Sequence, residues 1–378
     1  MTIDLITLSA GAAILILAMI TPMMNPLFRR LHRRQKPSPQ GLPPITILLV
    51  SNGDHVALDE HLPIYLTQDY SPGYEVIVVT EKADVETENV LKRYSQNERL
   101  YHTFVPESSR YMSKSKLAIT LGVKASKNDW IILTDPRCKP SGSHWLEAMA
   151  HHTDADTSLV LGYVNYAEEA KAYQRFERLH TALYLLREAQ NDRAYRTNCM
   201  NVAFRKSEYM ERQGFLEYLK YSIGEYDFLV NKYGRPEAVS VATEPDTILT
   251  ENAIPSKSWQ NRQVYFHEVG KHLDGGAWLR VLSALDRWSM VLTFLAIIIV
   301  AAYAGFTHRW ILLGIAAVSF ILSVIIRTLI GKKALREFQI HIPSWRIFPL
   351  EIGLLWHRLL TRMRYEYADK NDFISHKV

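Results

Sequence analysis

Three long apolar runs, one at the N-terminus and two near the C-terminus, decide most of what this chain can fold into. The first covers Leu5 to Met24 without a charged residue. At 1.5 Å per residue, a helix of that length crosses the roughly 30 Å hydrocarbon core of a bilayer. A signal peptide would carry basic residues before the run and a small-residue cleavage site after it. Here Asp4 precedes the run and Arg29, Arg30, Arg33 and Arg34 follow it, which is the order of an uncleaved anchor. The other two runs, residues 288–306 and 310–330, are joined by Thr307, His308 and Arg309, and each opens with Trp. They continue uncharged for 19 and 17 residues, which favours a membrane hairpin over a buried soluble one. Arg327, near the end of the third run, has a side chain long enough to snorkel.

Basic residues set the expected orientation. Arg29, Arg30, Arg33, Arg34 and Lys36 follow the first run, Arg280 and Arg287 precede the second, and Lys332, Lys333 and Arg336 follow the third. The positive-inside rule puts all three clusters in the cytoplasm, so a multi-pass inner-membrane protein with a cytoplasmic domain is expected. The formal net charge is +5, but much of the excess lies beside the apolar runs. Anionic lipid headgroups, rather than nucleic acid, are then the expected partner. Cys138 and Cys199 supply no disulfide framework and suit a reducing compartment.

Between the runs the pattern changes. The expected organisation is an anchor at 1–25, a basic Pro-rich linker at 26–42, an α/β domain at 43–283, a hairpin at 284–331 and an amphipathic segment at 332–378. Apolar runs at 45–50, 74–79, 100–105 and 130–133 alternate with helical stretches at 59–68, 84–95 and 115–125. Continuous apolar strands separated by helices predict a parallel sheet covered on both faces. Ligands of such sheets bind at the carboxyl ends of the strands, here Ser51–Asn52, Thr80–Glu81 and Thr134–Asp135. Farther along, helices are expected at 170–187, from about Gly224, and at 257–272, with a strand at 201–204. Residues 345–364 mix Trp, Phe and Leu with four Arg, as in a helix lying in the headgroup layer.

Several blocks, in order, resemble the family 2 glycosyltransferases, membrane-bound enzymes with a GT-A (nucleotide-diphospho-sugar transferase, Rossmann-like) domain. The resemblance spans about residues 43–275: ITILLVSNGD, HLPIYLTQDYSPGYEVIVV, SKSKLAITLGVKAS, NDWIILTDPRCKPSGSHWLEAM, VAFRK, GEYDFLVNKYG and KSWQNRQ. It implies an inverting transfer of a hexosyl or related group from a nucleotide-diphosphate donor to a lipid-linked or cell-envelope glycan acceptor. By the same resemblance, Ser51, Asn52 and Glu81 would face the donor nucleoside, and Lys114, Lys116 and Asp135 its phosphates. Glu225 and Asp227 would be the candidate bases, with Asp227 in the family's catalytic place although Tyr226 intrudes. Trp259, Gln260 and Arg262 would lie on the acceptor and diphosphate side, at altered spacing.

The chemistry explains these residue types. A departing diphosphate needs its growing negative charge met, usually by Mg²⁺ or Mn²⁺ held by carboxylates, and an acceptor hydroxyl needs a base within hydrogen-bonding reach. Asp135 stands where the first metal-motif acid belongs, but Arg137 replaces the second. A guanidinium cannot ligate a cation, so metal use is open, and Arg137 itself is expected against the diphosphate. Each candidate has a plainer reading: Asp135 as a turn residue before Pro136, and the GEYD acids as helix-dipole partners. A catalytically degenerate domain that binds a nucleotide sugar or a partner is the alternative function.

Overall fold

The computed structural model describes residues 4–28, 31, 41–106, 113–369 and 373. The basic residues expected in the linker, Arg29, Arg30, Arg33, Arg34 and Lys36, lie outside the described residues. The chain divides into two compact units, residues 1–31 with 276–358 and residues 32–275 with 359–378.

The chain opens with α1 (Leu5–Ile20), capped by the Asp4 carboxylate, which accepts from the Thr7 amide at 2.9 Å. The second unit then begins with β1 (Ile45–Val50), α2 (His55–Leu66), β2 (Tyr74–Glu81), α3 (Val85–Arg93), β3 (Leu100–Val105), α4 (Lys114–Ala125) and β4 (Trp130–Thr134). It continues through β5 (Cys138–Pro140), α5 (Trp145–Ala150), β6 (Leu159–Gly162), β7 (Val164–Tyr166), α6 (Ala172–Gln190), β8 (Asn201–Arg205) and α7 (Lys206–Glu211). The last elements before the hairpin are α8 (Glu225–Tyr233), β9 (Val239–Ala242), β10 (Leu249–Glu251) and α9 (Ser256–Val269).

Seven strands form one sheet in the order β3-β2-β1-β4-β8-β6-β9. The half from β3 to β4 is parallel, and β1, β2 and β4 are buried along almost their whole length, as runs of Ile, Leu and Val covered by helices must be. The other half departs from the parallel expectation: β8 runs antiparallel to both β4 and β6, and β6 pairs parallel with β9. A second sheet of three short strands, β5-β10-β7, aligns Glu251 with both Cys138 and Tyr166. That register fixes Glu251 beside the turn that joins β4 to β5.

In the first unit, α10 (Ala277–Phe306) and α11 (Trp310–Glu337) form the hairpin, followed by α12 (Ser344–Glu366), whose last turns belong to the second unit. Among the described residues, three helical segments are long and apolar enough to cross a membrane: Leu5–Met24, Ala277–Phe306 and Trp310–Glu337. Close approach of α1 and α11 depends on a missing side chain, because a Cβ on Gly11 would come within 2.9 Å of Ile315 Cδ1. Arg327 does not snorkel as expected. It is 2% exposed, and its Nη1 donates to Glu351 Oε1 at 2.7 Å, because an internal carboxylate is within reach. The Asn25 amide donates to the same oxygen.

Candidate active site

A cavity of about 330 Å³ opens where the two halves of the large sheet meet, at the carboxyl end of β4. Asp135 and Arg137 line one side, and Glu225, Tyr226 and Asp227 from the start of α8 line another. Arg178 of α6 and Arg262 of α9 complete its charged wall. The two acidic blocks, far apart in sequence, therefore share one cleft.

The turn after β4 is held by its carbonyls. Cys138 N–H donates to the Asp135 carbonyl at 2.9 Å and Asn252 N–H to that of Arg137 at 3.0 Å. His61 Nδ1 lies 2.7 Å from the Pro136 carbonyl, and the Tyr65 hydroxyl donates to the Cys138 carbonyl at 2.7 Å. His61 and Tyr65 are one helical turn apart on α2, so a single face of that helix grips the turn. Within it, Arg137 Nε and Nη2 donate to the two Asp135 oxygens at 2.8 Å each, and the Arg137 amide donates to Oδ1 at 2.9 Å. Asp54, at the start of α2, lies 3.6 Å from Arg137 Nε. Burial raises the Asp54 carboxyl above the ordinary aspartate range although Arg137 opposes it.

Behind this pair sits Glu251, wholly buried, with Arg178 Nη1 and Arg262 Nη1 each 2.8 Å away. Burial alone would raise its carboxyl, but Arg262, Arg178 and Arg137 together hold it below the ordinary value. The Arg178 guanidinium also lies 3.7 Å over the Tyr166 ring.

On the opposite wall, Gly224 begins α8 with φ +93°, and a Cβ there would meet both Val269 methyls at 2.8 Å. Only glycine lets α8 start this close to α9. Asp227 is buried, and its two oxygens accept from Arg196 Nε and Nη2 at 2.9 Å each, while Nη2 also donates to the Phe266 carbonyl. Glu225 has a lighter hold: the Ser113 hydroxyl lies 3.4 Å from its Oε1. Burial and the nearby Asp135 carboxylate push the Tyr226 hydroxyl well above its usual range.

The remaining expected residues divide. Asn52 lines the cavity, whereas Ser51 is buried beside it and its Oγ has no hydrogen-bond partner among the described residues. Glu81 and Lys114 pair with each other at 2.5 Å, away from the cavity lining. Lys116, expected at the phosphates, is absent from the cavity lining. It is fully buried, and its Nζ donates to the carbonyls of Tyr221 and Ile223, fixing the loop ahead of Glu225. Trp259 is a core residue, 2% exposed and edge-on to Tyr173, because the face of α9 that carries it turns inward. Gln260 lies off the cavity-facing side; Arg262, Gln263 and Phe266 line the cavity. Arg178, Arg196, Glu251 and Tyr166 carried no motif signal and emerge only from the fold.

The donor set does not fit a divalent cation. Both Asp135 oxygens are bound to a guanidinium, and the described residues contain no group of three His, Cys, Asp or Glu side chains able to hold a metal.

The sequence matches the family model described as glycosyl transferase family 21 over residues 11–348, where the motifs resemble family 2. No curated protein matches it significantly. Among solved structures, the mannosyltransferase PcManGT from Pyrobaculum calidifontis, in complex with GDP-Man and Mn²⁺, aligns with a TM-score of 0.51 at 18% identity. That alignment covers 88% of this chain and 98% of the other, and it is a likeness of fold. TarS 1-349 from S. aureus, in complex with UDP-GlcNAc, aligns at a TM-score of 0.43 and 11% identity over 58% of this chain and 64% of its own.

Proposed function

This chain belongs to glycosyl transferase family 21, and from that premise we propose that its cavity binds a nucleoside-diphosphate sugar and transfers the sugar to a hydroxyl of a lipid-linked or envelope-glycan acceptor. The supporting observation is the shared cavity, whose lining brings Arg137, Arg178 and Arg262 together with Glu225, a carboxylate held among the described residues only by a distant serine hydroxyl. The acceptor oxygen bonds to the anomeric carbon as the bond from that carbon to the β-phosphate oxygen breaks. The hydroxyl proton passes to the base, and the electron pair leaves with the nucleoside diphosphate. A single displacement of this kind inverts the anomeric centre.

Glu225 is the base in this reading. Each Asp227 oxygen already accepts a guanidinium N–H, so Asp227 braces α8 against Arg196 instead. The apolar helices would keep the cytoplasmic site near a lipid-borne acceptor and raise its effective concentration. The test is release of nucleoside diphosphate from a panel of nucleotide sugars by the detergent-solubilised chain, supplied with membrane lipid extract. Glu225→Gln is expected to lower the rate by about 10²–10⁴. Full activity in that variant would dismiss Glu225, and binding without turnover on any donor would favour the degenerate, ligand-binding alternative.

A further inference from the structure

We propose that the Asp135–Arg137 pair is a built-in cation: Arg137 binds the donor diphosphate directly, Asp135 serves only to position it, and binding needs no divalent metal. The inference rests on the donor reading above and specifies how that site meets the diphosphate charge.

Three observations carry it. The first is the pair itself. Asp135 accepts from Nε, Nη2 and the backbone amide of Arg137, so three of its roughly four acceptor sites are taken and the guanidinium already stands where a chelated cation would sit. A guanidinium has five N–H donors in a fixed plane, and the pair engages two of them. Those that remain belong to a side chain lining the cavity. In a metal-type site the acid holds the cation; here the acid holds the guanidinium at a set angle, as fork-to-carboxylate pairing does.

The second is rigidity. All four carbonyls from Asp135 to Cys138 are hydrogen-bonded, by Cys138, His61, Asn252 and Tyr65 in turn. The guanidinium therefore projects from a turn with little freedom to rearrange around a metal, which is the condition for a preorganised charge.

The third is the charge behind it. Arg178 and Arg262 converge on Glu251, whose carboxylate stays ionised and keeps both guanidinium groups at the cavity wall. Three arginines thus border the cavity, and of its lining acids Asp135 and Asp227 are each already bound to a guanidinium.

The test measures binding of UDP, GDP, ADP and CDP to the full-length chain in detergent by calorimetry, in EDTA and in Mn²⁺ or Mg²⁺. The tightest of them is expected to bind within about twofold in the two conditions. Arg137→Ala is expected to weaken that nucleoside diphosphate tenfold or more and to leave the corresponding nucleoside unchanged. Arg137→Asp is expected to lose metal-free binding and gain a Mn²⁺ signal by electron paramagnetic resonance that the wild type lacks. Asp135→Asn should weaken binding less than Arg137→Ala, without creating a metal requirement. A wild type that binds only with metal overturns the inference and leaves the donor reading intact, and this arm needs no variant. Unchanged affinity in Arg137→Ala also overturns it. Failure of every nucleoside diphosphate to bind under any condition would remove both.

Discussion

Glu251, in the transferase domain, and Glu351, beside the apolar helices, are both almost closed to solvent, yet their carboxyls shift in opposite directions. Glu251 is held below the glutamate range, because the fields of Arg262, Arg178 and Arg137 exceed the penalty of burial. Among the described residues Glu351 has one guanidinium, that of Arg327, and Asp286 repels its charge; burial prevails and its carboxyl is raised. The difference is the number of arginines within reach. Asp227 has one bidentate arginine, and Glu225 has a serine hydroxyl at the edge of hydrogen-bonding range.

The sharpest way to break this comparison is to remove one partner from each cluster. Glu251→Ala strands Arg178 and Arg262, which cannot shed their protons, and is expected to cost about 3–5 kcal/mol of stability. Arg327→Ala strands an acid that can protonate, so its expected cost is smaller, about 1–3 kcal/mol. Denaturant unfolding of the two variants compares them, and equal losses would end the argument that arginine count decides.

Next in size is the contrast within GEYD. Asp227→Asn removes the charge from a buried bidentate pair and is expected to cost about 2–3 kcal/mol. Glu225→Gln, on a side chain with no salt bridge among the described residues, is expected to change stability by no more than about 0.5 kcal/mol. A thermal shift in Glu225→Gln as large as that in Asp227→Asn would contradict the division into brace and base.

These clusters also show what the sequence could and could not reveal. The strands β1 to β4 were legible because each is a continuous apolar run, and the structure places them within a residue or two of expectation. Asp135, Arg137 and Glu225 were legible through motifs. Glu251 was not, since it ends a three-residue strand too short for any periodicity, and Arg178 reads as one more charge on a long helix. Each acquires meaning only through the β5-β10-β7 register, a non-local pairing. Strand direction in the second half of the sheet is illegible for a like reason: the pattern at 201–204 is the same whichever way β8 runs. The burial of Lys116 was illegible because its neighbour Lys114 is exposed, and nothing in the sequence marks the carbonyls that receive it.

The pH dependence sharpens the comparison further. Glu251, lowered in the folded state, contributes stability that is present above the unfolded glutamate value of about 4.5 and lost as pH falls through its folded value. Glu351, raised, contributes stability that is complete below that value and lost as pH rises towards its folded one. Each slope is at most about 1.4 kcal/mol per pH unit inside its window. Glu351→Gln should therefore flatten the decline in melting temperature above pH 4.5, while Glu251→Gln should flatten the fall on the acid side. Identical profiles for the two variants would contradict the opposed shifts.

Lys116 carries the comparison over to a cation. Burial pulls its ammonium down to about 8, and Glu225 opposes this only in part. The folded state thus favours neutral lysine, so stability should rise with pH between about 8 and the unfolded value near 10.5. Lys116→Met would remove that slope and leave the Tyr221 and Ile223 carbonyls unmet, at about 1–2 kcal/mol near neutral pH. Because those carbonyls precede Gly224, turnover should fall in the same variant while affinity for the nucleoside diphosphate stays constant. A Lys116→Met protein with weakened diphosphate affinity would instead return this lysine to the donor side.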